Sequence, residues 1–350
     1  MKVLLTLDYE LFNGYKAGTA RNSLITPTDE LRKILNKHNF KATFFVDTCY
    51  LNRLAELKSQ HPQLQEDYEL IIEQLKTLKS EGHDIQLHLH PNWLRATYDG
   101  TQWHSNTDDY KLSDLEPQDA ESLFLDGVNC LNTAIYGNMG GVKCFRAGAY
   151  CLQTYTAFAE IFKKYGILVD SSVNRYHKAI SEKHEWCDYT RIPKQYSYRF
   201  DTDVTKEIKD GPFVEVSIPN YKISFIRYYL SKFKKKRIFA PTKKWGDGSG
   251  SNGGALDKGL TRVIKRIKAR FAPRKLVASI DSTSGENLTK LFRFEKQKGG
   301  DYFLIMGHPK NFTPYSLAYF DMFLSSLSPN DKNEVVSSFA EYESNAHCNF

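Results

Sequence analysis

Residues 82–93 read GHDIQLHLHPNW, and the apolar run within them carries histidines at both 88 and 90. Side chains alternate faces along a β-strand. His88 and His90 therefore point one way, and Ile85, Leu87 and Leu89 the other. Two imidazoles on one face can share one metal ion. Taken alone, the pair reads first as two hydrogen-bonded polar residues at a strand end, so a metal site depends on what other segments bring to the same place.

Outward from this stretch, short apolar runs predict strands at VLLTL (3–7), ATFFV (42–46), ILV (167–169), FVEVSI (213–218), LVASI (276–280) and YFLIM (302–306), with KCF (143–145) weaker. Several lack alternation, as strands covered on both faces do. Helical patterns lie between them. Thr26-Pro27 before DELRKIL has a capping residue, a proline suited to the first turn and early acids. YELIIEQLKTLKSEG ends on lysine and glycine, and TYTAFAEIFKKYG precedes ILV. The strand–helix alternation predicts a deformed or incomplete parallel (β/α) barrel of seven or eight strands. It forms a single domain, residues 1–350, with an insertion at 219–258 and a helical tail at 313–350.

The 350 residues, 41% hydrophobic and 25% charged, suit a globular protein with a sizeable core. Six scattered cysteines without a Cys-x-x-Cys pair predict a reduced compartment. The apolar opening MKVLLTLDYELF is too short for a signal or a membrane span, so the expectation is a cytoplasmic protein. The net charge of +7 is concentrated: residues 221–275 hold 17 lysines and arginines against Asp247 and Asp257, which leaves the rest of the chain acidic. Within this segment GDGSGSNGG (246–254) reads as a linker or a backbone-binding loop. GLTRVIKRIKARF places Leu260, Val263, Ile264, Ile267 and Phe271 on one helical face, predicting a solvated basic outer side. SFIRYYLSKFKKKRIF reads first as another solvated basic face; it also resembles an interfacial amphipathic helix, which makes 222–244 a candidate for peripheral contact with anionic lipid or a phosphorylated substrate. No nucleic-acid module accompanies the charge, and no nucleic acid partner is expected.

Functional residues of parallel barrels collect at the C-terminal strand ends. There the chain offers Asp8 and Glu10, Asp47, His88 and His90, Arg146, Asp170, Asp281 and His308. Acids, imidazoles and one arginine on a single rim point to a metal-dependent hydrolytic site. Asp47 and Asp281 are read as helix caps.

The series LTLDYE, KATFFVD, GHDIQLHLHP, FRAGAY, DSSV and IMGHP resembles the polysaccharide deacetylase superfamily, carbohydrate esterase family 4 with the NodB-homology fold, over residues 1–175 and 275–312. The resemblance implies metal-assisted removal of acetyl groups from N-acetylated sugars. It makes Asp8 the general base and Arg146 its partner. Tyr150 supplies a backbone N–H to the oxyanion, His308 is the general acid, and Asp170 is the acid that orients it. It also implies a divalent metal, with zinc the best match to the ligands. The family's second acid would fall at Tyr9, so Glu10 becomes the candidate ligand beside His88. The second family histidine falls at Asn92, leaving His90 or Asn92 to complete the site.

The residues support that chemistry independently. A divalent ion polarises an amide carbonyl and acidifies water; a carboxylate takes the water's proton, and an imidazolium protonates the leaving amine. The expected substrate is an N-acylated sugar, nucleotide- or lipid-linked, in surface polysaccharide assembly. The alternatives are an inactive glycan-binding descendant of the same fold, or a metal hydrolase of glycosidic or non-sugar amide bonds.

Overall fold

The structure, a computed structural model, describes residues 1–14, 16–105, 108–153, 155–180, 185–223, 237–250 and 274–340. The basic helices expected within 224–239 and 259–271 lie outside these residues, apart from 237–239.

The main sheet contains β1 (Lys2–Tyr9), β2 (Thr43–Asp47), β3 (Asp84–Leu89), β4 (Cys144–Ala147), β5 (Val169–Asp170), β6 (Ser197–Phe200), β7 (Phe213–Val216), β8 (Tyr302–Gly307) and β9 (Lys332–Glu334). Its order is β6-β7-β5-β4-β3-β2-β1-β8, with β9 also beside β1. Only the β6–β7 pair is antiparallel. Among the described residues no strand ladder joins β6 to β8, so the curled sheet is an incomplete α/β barrel, as expected. Across the opening the Tyr302 hydroxyl lies 2.7 and 2.8 Å from the carbonyl oxygens of Ser217 and Tyr196.

Strand alternation divides the sheet's side chains into two layers. Val3, Leu5, Leu7, Phe44, Val46, Ile85, Leu87, Leu89 and Phe145 face outward into the larger apolar core. That core is shared with helices α1 (Thr26–Lys37), α2 (Thr48–Leu57), α3 (Pro62–Ser80), α4 (Pro117–Leu131), α5 (Phe158–Tyr165), α6 (Leu288–Lys298) and α7 (Pro314–Ser325). Leu4, Phe45, Cys144, Val169, Val214, Val216, Leu304 and Met306 form a separate inner cluster. Further along the same inward rows come Thr6 and Asp8, then Gln86 and His88, then Arg146. The barrel interior thus changes from apolar to ionisable along its axis.

Two expected elements differ. LVASI does not enter the sheet as a barrel strand. Arg274–Val277 pairs antiparallel with Asn220–Ile223 in a separate ribbon, and only Ser279 bridges to β8, at Met306. The tail is not wholly helical. After α7, Lys332–Glu334 pairs with Lys2–Leu4, and Val336 and Phe339 join the inner cluster. The cause lies in β1, whose pairing with β2 starts only at Thr6 and leaves the first residues of that edge for β9.

His83, just before β3, is buried. Its Nδ1 accepts from the Ala42 N–H at 3.2 Å, its ring meets Phe44 edge-on, and Nε2 makes no hydrogen bond and lies 4.0 Å from Glu81 Oε2. Burial, with help from Lys41, pushes the imidazole down to about 4. An unfolded histidine titrates near 6.5, so the stabilisation is complete above that pH and is lost as pH falls towards 4. The loss is expected to reach about 3 kcal/mol. Urea unfolding at pH 7 and pH 4.5 should show it, and His83→Gln should flatten that part of the dependence.

Candidate metal centre and active site

Alternation on β3 puts His88 and His90 on one side, their rings 4.7 Å apart and nearly perpendicular. Glu10, just past the end of β1, meets both. Its Oε2 lies 3.3 Å from His88 Nε2 and is paired with His90 Nε2. The three ligand atoms lie within 4.8 Å of one another, and all three residues are buried. His88 Nδ1 donates to the Arg146 carbonyl at 2.7 Å, which leaves the Nε2 lone pair directed at a carboxylate oxygen. Two acceptors so placed require a cation between them, either a proton or a metal ion. Burial opposes charge on His88, but Glu10 and Asp8 outweigh it and raise its pKa.

Lys310, absent from the sequence expectations, holds the other oxygen of Glu10: its Nζ donates to Oε1 at 2.8 Å and to the Leu11 carbonyl at 2.7 Å. Burial alone would raise the Glu10 pKa, yet Lys310 and His90 hold it well below the usual range. One carboxylate oxygen is neutralised by the lysine and the other remains for a metal. An imidazole pair plus a monodentate carboxylate suits a borderline ion such as zinc. Asn92 stands beside Asn13, its Nδ2 3.5 Å from Asn13 Oδ1, with its own Oδ1 buried and unpartnered. It is not among the residues that line the cleft, whereas Asn13, His88 and His90 are. Asp47 caps α2 through Oδ1, which faces Tyr50 N, and the same oxygen accepts from His90 N at 3.3 Å. The helix cap therefore also fixes the backbone of a candidate ligand.

Beside this group Asp8 receives Arg146 Nη1 at 2.6 Å on Oδ1 and lies 3.5 Å from His308 Nε2 through Oδ2. Burial would raise its pKa, but the buried guanidinium outweighs it and holds the carboxyl well below the usual range. Arg146 is itself held by the Ser171 carbonyl and hydroxyl at 2.9 Å.

The orienting acid of His308 is not Asp170, contrary to expectation. Val169 pairs with Cys144 on the inner face, so Asp170, one residue on, points to the outer face in register with Phe145 and Glu215. There it accepts from Ser172 Oγ at 2.6 Å, and burial together with Asp170 raises the Glu215 carboxyl well above the usual carboxylate range. Asp281 takes the expected place: its Oδ2 lies 2.6 Å from His308 Nδ1, and its Oδ1 accepts the His308 N–H at 2.8 Å. Burial disfavours the imidazolium, but Asp281 and Asp8 prevail and push His308 up to about 10. Its place after LVASI marked Asp281 as a strand-end acid; its partner became visible only once the end of β8 was packed beside it.

Ala149 and Tyr150 both adopt left-handed backbone (φ +51° and +64°), and Ala147, Ala149 and Tyr150 line the cleft. Such strain in non-glycine residues costs roughly 1–3 kcal/mol each and gathers at functional sites. The turn is pinned where Tyr189 donates its hydroxyl to the Tyr150 carbonyl at 2.6 Å. Gly148 is required by proximity, since a Cβ there would stand 2.6 Å from Leu89 O and 2.8 Å from His90 Nδ1. Gly148→Ala should displace His90 and weaken the binding of a divalent metal at the Glu10, His88 and His90 cluster at least tenfold, measured by competition with a chromophoric chelator.

Asp8, Glu10, His88, His90, His308 and Lys310 open onto one cleft of about 480 Å³, whose walls also include Phe12, Tyr110, Lys244 and Asn311. The molecule is thus an open α/β barrel with a buried Glu-His-His group at the mouth. No family model matches the chain, and no curated protein matches it. Solved structures similar to it include the "putative polysaccharide deacetylase from Mycobacterium smegmatis", at 15% identity and TM-score 0.48, covering 99% of this chain and 91% of that one. Puue allantoinase follows at 10% identity and TM-score 0.49, with the same coverage. The GH57-type branching enzyme from Pyrococcus horikoshii matches at 10% and 0.46, covering 98% and 70%. At these identities the likeness is one of fold alone.

Proposed function

We propose that this chain is a metal-dependent hydrolase that removes an acetyl or other acyl group from an N-acylated sugar, in the cytoplasmic assembly of a surface polysaccharide. The observation that carries the reading is the convergence of Glu10 Oε2, His88 Nε2 and His90 Nε2 beside two oriented proton-transfer groups, Asp8 on Arg146 and His308 on Asp281.

Glu10, His88 and His90 would hold the ion, zinc by preference; when bound, it polarises the acyl carbonyl and acidifies water. Asp8 Oδ2 takes the proton of the attacking water. A carboxylate held so acidic is a weak base, so the proton does not stay there. His308 Nε2, protonated at neutral pH, gives its proton to the departing amine nitrogen and recovers one from Asp8 across 3.5 Å. The strained turn at Tyr150 offers its backbone N–H to the developing oxyanion. Among the described residues no helix is long and apolar enough to cross a membrane, in keeping with a site reached from water.

The test is acetate release from N-acetylated monosaccharides and sugar nucleotides by the zinc-loaded protein, with chelation and zinc add-back. Release that needs the metal supports the reading. A protein that retains no zinc, nickel or cobalt and releases no acetate overturns it.

A further inference from the structure

The basic insertion contributes one described piece to the cleft, the strap 244–250, which is stapled over the loop after β1. Trp245 N donates to the Phe312 carbonyl at 3.2 Å, and Ser249 N to the Lys16 carbonyl at 2.8 Å. Asp247 accepts from Thr19 N at 2.8 Å, Thr19 Oγ1 at 3.1 Å and Asn22 Nδ2 at 3.2 Å. The fit is close enough to demand Gly248, where a Cβ would stand 2.6 Å from the Lys16 carbonyl.

This strap sets Lys244 on the cleft wall. Its ammonium lies 3.8 Å from the centroid of the Phe12 ring and donates to the Gly248 carbonyl at 3.0 Å. Lys310 approaches the same ring at 5.3 Å. The two cations differ in what they face. Lys310 is neutralised by Glu10, whereas among the described residues no carboxylate lies within ion-pair distance of Lys244; Asp247, the nearest acid of the strap, is turned to Thr19 and Asn22. Lys244 lines the same cleft as Glu10, His88 and His90, so a ligand in that cleft meets both the lysine and the candidate metal ligands. An ammonium fixed on an aromatic face in a cleft, with donor capacity left over, is a seat for an anion.

We propose that the cleft takes a phosphate-bearing N-acyl sugar, with the phosphate seated on Lys244. This deepens the function proposed above and rests on it for the sugar, but the phosphate seat can be tested without turnover. Calorimetric titration of the zinc-loaded full chain should use N-acetylglucosamine, its 1-phosphate, UDP-N-acetylglucosamine and inorganic phosphate. The expected result is that the phosphorylated sugars bind at least tenfold more tightly than the neutral sugar. Lys244→Met should weaken them by about ten- to hundredfold and Lys244→Arg should restore most of the loss, with unchanged thermal unfolding showing that both variants fold. Equal binding of neutral and phosphorylated sugars, or an unaltered preference in Lys244→Met, overturns the proposal. Phosphorylated sugars that bind through Lys244 without acetate release would leave the seat standing and defeat the hydrolase reading. Inorganic phosphate binding as tightly as the sugar phosphates would show an anion site without sugar recognition and also overturn it.

Discussion

Replacing His88 by alanine is expected to abolish stoichiometric zinc binding and reduce acetate release to background. His88 is the candidate ligand whose geometry is most constrained: its Nδ1 is committed to the Arg146 carbonyl, so its remaining lone pair faces Glu10. Losing a partner behind a metal ligand typically costs 10–100-fold in affinity, so losing the ligand itself should exceed about a hundredfold. His90→Ala should behave alike, because His90 is the second imidazole against Glu10 Oε2. Asn92→Ala should stay within about tenfold, since Asn92 stands beside Asn13. Metal analysis of the three purified variants, with circular dichroism to show that each folds, decides between His90 and Asn92. A zinc-replete His90→Ala beside a zinc-free Asn92→Ala would reverse the ligand assignment.

The second large effect is expected at Asp281. Asp281→Ala removes both the acceptor of His308 Nδ1–H and the acceptor of its backbone N–H, so the ring loses orientation and its charged partner together. A fall in kcat of about 10²–10⁴-fold is expected, the range associated with positioned acid–base groups, with zinc content unchanged. Asp170→Asn serves as the contrast. Its side chain points to the outer face beside Glu215, so the change should alter stability and leave kcat of the folded protein within a few-fold. If Asp170→Asn lost kcat as Asp281→Ala does, with zinc and fold retained, the assignment of Asp281 to His308 would fail.

The contrast between these two acids shows how much of the site could be read from the chain. Both follow apolar runs, and both were legible as acids at strand ends. Which face each presents depends on register: Val169 opposite Cys144 turns Asp170 outward, a fact about pairing between segments more than twenty residues apart. Asp281 reaches His308 because the chain after the Asn220–Val277 ribbon runs to the end of β8, although LVASI itself never joins the sheet as a full strand. Lys310 followed His308 in plain view but carried no signal, because its meaning is an ion pair with a residue 300 positions away. The strand Lys332–Glu334 was illegible for a similar reason. KNE has no apolar pattern, and it is a strand only because the edge of β1 has backbone groups to satisfy.

By itself the sequence determined what is local and periodic: which runs form strands, that His88 and His90 share a face, and that acids and imidazoles gather at one end of a barrel. These follow from the two-residue repeat of a strand and the shortness of its apolar runs, which need no partner to be read. Tertiary structure alone decided which acid holds His308, which oxygen of Glu10 is left for a metal, and which lysine of the insertion faces the cleft. Each of those depends on register between distant strands or on burial of one charge against another, and neither is encoded in the spacing of neighbours along the chain.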